Sequence, residues 1–183
     1  MRAIVYGILS LFLSGASISV AAQPASTPSS PLAACGDEKI SFNVDRGKVG
    51  ALAPLVPGKA ALYIVEFFDL RDKGKINRPT IRQGLDGAWI GATQGFTYVT
   101  ASIDPGEHHL CSRWQSHFGQ LSDQISLNNF DAVAGKTYYF RVQINVQGGD
   151  PPGPFSIDLQ SVSEDEGRFL VSEEAQSISK PKK

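Results

Sequence analysis

The stretch Leu85–Trp114, LDGAWIGATQGFTYVTASIDPGEHHLCSRW, restricts the fold of this chain more than any other part of it. Asp86-Gly87 is a two-residue hairpin signal, because both central positions of a type I′ turn need positive φ. Ala88–Gly91 is the expected return strand. Phe96 to Ile103 then alternates, with Thr97, Val99, Ala101 and Ile103 on one face and Phe96, Tyr98, Thr100 and Ser102 on the other. Pro105-Gly106 turns the chain again, since Pro presets φ and Gly accepts a positive one. Glu107 to Arg113 is the returning strand and carries Cys111, one of the chain's 2 cysteines. Such a stretch specifies antiparallel β structure tied by a disulfide. It does not specify a reaction.

The remainder follows the same pattern. Ile40–Val44 alternates as a half-buried strand, and Asp45–Lys59, rich in glycine and proline, reads as a loop. Ala60–Phe68 is an apolar run whose Tyr, Ile, Val and Phe content favours a central strand over a helix. Arg71–Arg82 is polar and basic, broken by Gly74 and Pro79, and reads as an exposed loop. Ser112–Asp131 reads as a long connection anchored by Trp114, Phe118, Leu121 and Phe130. Tyr138, Phe140, Val142, Ile144 and Val146 alternate with polar neighbours, Gly148–Gly153 breaks the pattern, and Phe155, Ile157 and Leu159 resume it. Ser163-Glu-Asp-Glu166 matches a helix capping box, and acidic residues suit a helix N-terminus. Gly167 and Val171 keep a last strand open as the alternative. The expected fold is mainly β, an antiparallel β-sandwich of about seven to nine short strands with at most one short C-terminal helix.

The N-terminus bears on compartment. Arg2 precedes an apolar run from Ile4 to Val20, and small residues at Val20-Ala21-Ala22 precede a polar, Pro-rich stretch. This is the layout of a secretory signal peptide. The expected organisation is a signal peptide over 1–22, a flexible Pro/Ser linker over 23–34, one domain over 35–175 and a disordered polar tail over 176–183. Leu32-Ala33-Ala34-Cys35 also has the form of a bacterial lipobox, which would place a lipid on Cys35. A lipobox normally abuts the apolar run, whereas here the polar stretch Gln23–Pro31 intervenes. The favoured product is therefore exported, without a membrane span in its mature form, and with Cys35 bridged to Cys111. Lipidation and the bridge exclude each other, because a lipidated Cys35 has no free sulfur.

Composition limits the chemistry. The formal net charge is −1, so no global field argues for nucleic acid. No Cys-x-x-Cys, Gly-x-Ser-x-Gly or Walker-type loop occurs in the sequence. His108, His109 and His117 are the only histidines. Adjacent His108 and His109 on a strand point to opposite faces and cannot share one ion, and open metal sites usually need three protein ligands. Asp150 and Glu164–Glu166 read as a turn and a helix start rather than an acid cluster. No catalytic residue, metal or cofactor is expected; a hydrolase or metal-binding protein, which convergence of His109, His117 and an acid in a pocket would favour, is the least favoured alternative. Binding is the better class: Trp89, His109 and Trp114 form the candidate surface, with Tyr98 as a further stacking residue, although aromatics at strand spacing are more often core. The basic loop would suit an anionic envelope polymer or lipid headgroup.

The order of motifs resembles a known family. Asp86-Gly87, Gly91, Tyr98–Ile103 and Pro105-Gly-Glu-His-His-Leu110 resemble the PEGA-like pattern of bacterial envelope modules. Pro57-Gly-Lys-Ala60, Ala134–Val142 and Glu164–Arg168 extend the likeness, and together these resemble the bacterial family called domain of unknown function 2846 over about Pro57 to Val171. The resemblance implies an exported or lipid-anchored single β domain with no assigned activity. The leading expectation is a non-catalytic structural or interaction module of the periplasm or cell envelope, with an unknown envelope protein or glycan as partner, and the alternative is a carbohydrate- or peptidoglycan-binding module using Trp89 or Trp114. It supplies no catalytic residues. The Cys35–Cys111 pair and the basic loop depart from the plainest form of the pattern.

Overall fold

Ten strands and one short helix build the domain in the computed structural model, which describes residues 31–68, 78–115, 124–146 and 155–183. The expected leader, most of the expected linker, residues 71–77 of the basic loop, His117, Phe118, Leu121 and the Gly148–Gly153 break lie outside the described residues. In chain order the strands are β1 (Phe42–Val49), β2 (Ala60–Phe68), β3 (Thr80–Leu85), β4 (Ala88–Gln94), β5 (Thr97–Ile103), β6 (Gly106–Trp114), β7 (Ile125–Ala132), β8 (Thr137–Val146), β9 (Phe155–Val162) and β10 (Ala175–Pro181). Helix α1 (Glu164–Glu173) lies between β9 and β10. A six-stranded sheet in the order β1-β10-β5-β2-β8-β9 faces a four-stranded sheet in the order β4-β3-β6-β7.

This is the β-sandwich that the alternation demands, and period two fills its centre. Leu62 and Ile64 of β2, Phe140, Val142 and Ile144 of β8, Ile81 of β3, and Leu110 and Trp114 of β6 belong to one buried cluster. The opposite face of β2 and β8 is buried too: Tyr63, Val65 and Tyr139 pack with Tyr98, Leu170 and Val171 in a second cluster beneath α1. Two covered faces explain why β2 reads as a continuous apolar run.

Local signals fold as read. Asp86 (φ 50°) and Gly87 (φ 86°) make the β3–β4 hairpin, as positive φ at both centres requires. Ser163 caps α1 by accepting from the Glu166 amide at 3.2 Å, while the Glu166 carboxylate turns to Arg141 at 2.6 Å instead of closing a reciprocal box. Gly167 is the fourth residue of α1 because the helix lies flat on Tyr139: a Cβ there would sit 2.1 Å from the ring.

Long-range pairing overturns other readings. The six-stranded sheet is mixed rather than antiparallel, since β2 pairs parallel with β8 and β10 pairs parallel with β5. Among the described residues the strands number ten, against the expected about seven to nine, because Ser112–Asp131 contains β7 and the C-terminal residues form β10. Ala175–Pro181 is thus not a frayed tail but lies between β1 and β5. β1 runs on to Val49 through the expected loop, with Asp45 opposite Ile178 and Arg46 opposite Ser177. Its charges suit an edge strand.

Both seams between the sheets are bridged by side chains. Ser177 and Ser179 of β10 donate to the Ala92 carbonyl of β4, and the Ala92 amide donates to Ser179 Oγ at 2.9 Å. On the far side, the Leu159 amide of β9 donates to Ser126 of β7 at 2.9 Å, and Asn128 donates to the Leu159 carbonyl at 3.0 Å. Short polar side chains thereby occupy backbone groups at sheet edges that would otherwise be open for pairing.

Candidate functional site

The residues singled out from the sequence do not converge on one surface. Trp114 is 4% exposed and belongs to the core between the sheets, and Tyr98 is fully buried beneath the outer layer. A buried indole cannot stack on a glycan, so the expectation for Trp114 fails, because its position on β6 shares the inward face with Leu110 and Ser112. Trp89 and His109 remain half-buried.

Trp89 holds the chain's own N-terminal segment. Its indole N–H donates to the Asp37 carbonyl at 2.7 Å, and the Arg82 guanidinium lies 4.6 Å from the ring centroid. Gly36 and Gly84 leave room for the ring, since a Cβ would approach it to 2.5 Å and 3.2 Å respectively. Arg82 reaches the Glu38 and Ile40 carbonyls at 2.9 Å and 2.8 Å, so this arginine, expected in an exposed loop, is buried inside β3. Arg113 pairs with the Glu38 carboxylate, whose pKa is held below its ordinary value mainly by that hydrogen bond and charge. The Cys35–Cys111 disulfide fastens the same segment to β6, with Cα atoms 5.1 Å apart.

His108 and His109 point to opposite sides of β6, as alternation requires. His108 is fully engaged: Nδ1 meets Asp86 Oδ2 at 2.6 Å, Nε2 meets the Asp104 carbonyl at 2.7 Å, and its ring packs 5.7 Å from Phe130. His109 lies 3.8 Å from Glu107. Among the described residues no three His, Cys, Asp or Glu side chains converge as a metal would require.

Two features escaped the sequence reading. The first is a groove of about 520 Å³ at the sandwich rim, where Asn43, Asp45, Thr80, Gln94, Lys180 and Lys182 surround Phe42 and Val44. Lys180 and Asp45 pair within it at 2.8 Å. It joins residues from β1, β3, β4 and the C-terminal strand, and reading β10 as a tail concealed it.

The second is a line of polar side chains through the core. Ser112 Oγ donates to Gln83 Oε1 at 2.6 Å, and Gln83 Nε2 donates to Thr93 Oγ1 at 3.0 Å. Thr93 bonds onward to Glu66, whose Oε1 also accepts from the Gly95 amide at 2.6 Å. Ser112, Gln83, Thr93 and Glu66 are all fully buried. Beyond them stands Glu174, 3% exposed, at the end of α1. Burial pushes Glu66 up to about 7 against the bonds from Thr93 and Gly95. Burial likewise pushes Glu174 up to about 8, with the Glu66 charge adding to the effect and Arg46 opposing it. The sequence held one clue, a single Glu within the apolar run AALYIVEFF.

No family model, curated protein or solved structure matches this chain. Among the described residues no helix is long and apolar enough to cross a membrane. The fold and site define a disulfide-bridged β-sandwich with a covered outer face, a polar rim groove and a buried acid pair.

Proposed function

We propose that this chain is an exported protein of the bacterial cell envelope, as its resemblance to domain of unknown function 2846 implies, and that it acts there as a structural or interaction module. The Cys35–Cys111 bridge carries this reading most directly. Bridges persist in oxidising compartments, and this one pins the segment that follows the expected leader and linker. Trp89, His108 and Arg82, which a catalytic or stacking role would need free, are instead bound to the protein's own backbone and carboxylates. Partner contact falls to the surface, with the rim groove as its centre.

The groove's mixture of amide, hydroxyl, carboxylate and ammonium groups favours a second, narrower reading, a carbohydrate or peptidoglycan fragment as ligand. This differs from an aromatic platform, since the tryptophans do not line the groove.

Fractionation of a bacterial host expressing the full chain tests export. The expected product leaves with the periplasmic fraction, starts near Gln23, and gains two hydrogens on reduction. A product starting at a diacylglycerol-modified Cys35, or an uncleaved cytoplasmic one, overturns it. Capture from envelope extracts with the wild type and with a Lys182→Glu variant tests the groove. Loss of captured partners or of peptidoglycan fragments on charge reversal is expected, and identical capture by both proteins removes the groove from the account.

A further inference from the structure

The corner where α1 meets β10 holds two buried acids, Glu66 and Glu174. Glu66 rises from β2 into the sandwich, and Glu174 ends α1. Glu66 bonds directly to the turn that joins β4 to β5, and Glu174 stands one residue before the backbone amide that bonds to it. There Gly95 (φ 43°) and Phe96 (φ 54°) are successive left-handed residues, a conformation that costs a phenylalanine free energy and persists only under restraint. The restraints are four: the Glu66 carboxyl on the Gly95 amide, Arg46 on the Gly95 carbonyl at 3.0 Å, Arg78 lying 5.9 Å over the Phe96 ring, and the Ala175 amide on the Phe96 carbonyl at 3.4 Å. Glu174 is covalently next to that last donor, and its own carbonyl accepts from the Gly50 amide at 3.1 Å. One corner thus ties together the β4–β5 turn, the start of β10 and the end of β1.

Each acid leaves one oxygen without a donor: neither Glu66 Oε2 nor Glu174 Oε2 has a hydrogen-bond partner among the described residues. A buried carboxylate oxygen in that position is costly, whereas a protonated carboxyl is neutral and becomes a donor itself. The charged groups facing the pair are Arg46 from β1, which opposes the charge on Glu174, and Arg78, which stacks on the turn. Thr93 from β4 presents only a hydroxyl. β10 pairs with β5 only at Ala175 and Gln176, opposite Thr97 and Tyr98, and beyond them Ser177 and Ser179 bond to Ala92 of β4.

We propose that Glu66 and Glu174 form a proton-operated latch: protonated, they hold the β4–β5 turn against the α1–β10 corner, and losing their protons loosens the β1–β10 ribbon from the rest of the sheet. Each proton goes to solvent when the corner opens, and no bond other than the O–H breaks. The ribbon that opens carries Asn43, Asp45, Lys180 and Lys182 of the rim groove, so the latch also sets that groove's shape.

Amide hydrogen exchange on the full chain, corrected for the intrinsic rate at each pH, tests the latch at Gly50, Gly95 and Ala175. Opening that exposes one such carboxyl makes protection fall roughly tenfold per pH unit above about pH 5 and level off above about pH 8. Glu66→Gln/Glu174→Gln replaces both acids with neutral amides, so its protection at these three amides stays flat across that range. Protection in the wild type that does not change with pH, or an equal fall in the double variant, overturns the latch. Should the double variant not fold, carboxyl-carbon NMR titration of the wild type decides. Midpoints for both residues below about pH 5 overturn the proposal, and midpoints near neutrality or above uphold it.

Discussion

His108 has only one protonation state that suits its surroundings. Both ring nitrogens face acceptors, a carboxylate and a carbonyl, so the imidazolium satisfies both while either neutral tautomer leaves one repulsive contact. Burial opposes the charge, but the bond to the Asp104 carbonyl and the bond and charge of Asp86 outweigh it, and the pKa stands above its ordinary value. A raised histidine pKa contributes stability that is fully present below the unfolded value and is lost as pH rises through the folded one. His108→Leu is therefore expected to lower stability by about 2 kcal/mol at about pH 5.5, with a much smaller loss at about pH 9. Urea unfolding of both proteins at the two pH values measures the difference, and the latch cancels because both proteins carry it. An equal loss at both values would show that packing on Phe130, not the charge, matters. Trp89 is a second residue whose role is set by partners rather than by type. Removing the ring in Trp89→Ala leaves the Asp37 carbonyl without its donor and Arg82 without its platform. A loss of about 3 kcal/mol is expected from such a truncation. Faster protease cleavage in the Gly36–Ile40 segment than in wild type is the accompanying sign, and unchanged cleavage would contradict the clasp.

At the scale of elements, α1 shows packing overruling propensity. Alanine at position 167 would favour an isolated helix by about 1 kcal/mol over glycine. Here the methyl group would enter the Tyr139 ring, so the helix would have to lift from the sheet. Gly167→Ala is expected to cost a net of about 2 kcal/mol, read from thermal or urea unfolding, and a stabilised variant would refute the close contact. The seam makes a similar test: Ser179→Ala leaves the Ala92 amide without its acceptor and should cost about 1 kcal/mol, whereas Ser172→Ala on the exposed side of α1 should cost far less. These elements also show what a sequence can carry. Asp86-Gly87, Ser163 with Glu166, and the alternation from Tyr138 to Val146 were legible because each is decided within a few residues. β10 was not, since Ser177 and Ser179 find their partner at Ala92, 85 and 87 residues away, and nothing local distinguishes serines that seal a sheet from serines in a tail. β1 was misread for the same reason, as its pairing lies with β10. The site was less legible than the fold. Trp114 and Trp89 are the same residue type on the two strands that flank β3, yet one lies inside and the other against the N-terminal segment. Glu66 is a lone acid that the reading of Ala60–Phe68 as an apolar run passed over, and Glu174 lies at a helix end and comes near it only in the folded corner.

For the whole molecule, the disulfide sets how the N-terminal segment belongs to the domain. Cys35 and Cys111 are 76 residues apart in sequence, so the bridge closes a loop holding β1 to β5 and most of β6. In the chain-entropy account, closing a loop of this length restricts the unfolded chain by roughly 4 kcal/mol. The folded side of the equilibrium is less dependent on the bond. Trp89, Arg82 and Arg113 hold the Asp37–Ile40 segment through contacts that survive reduction, and the Gly87 amide still donates to the Ala34 carbonyl at 3.1 Å. Reduction should therefore destabilise the protein without altering its fold. The expected result is a urea midpoint lowered in proportion to about 4 kcal/mol, with an unchanged near-ultraviolet spectrum of the buried Trp114 before the transition begins. Cys35→Ser/Cys111→Ser should match the reduced wild type within experimental scatter. Adding Trp89→Ala to that pair should loosen the segment from Gly36 to Ile40 further, because only the Arg82, Arg113 and Gly87 contacts then hold it to the four-stranded sheet. If reduction alone releases the segment, the bond rather than the indole is the clasp, and the Trp89 contacts only follow it.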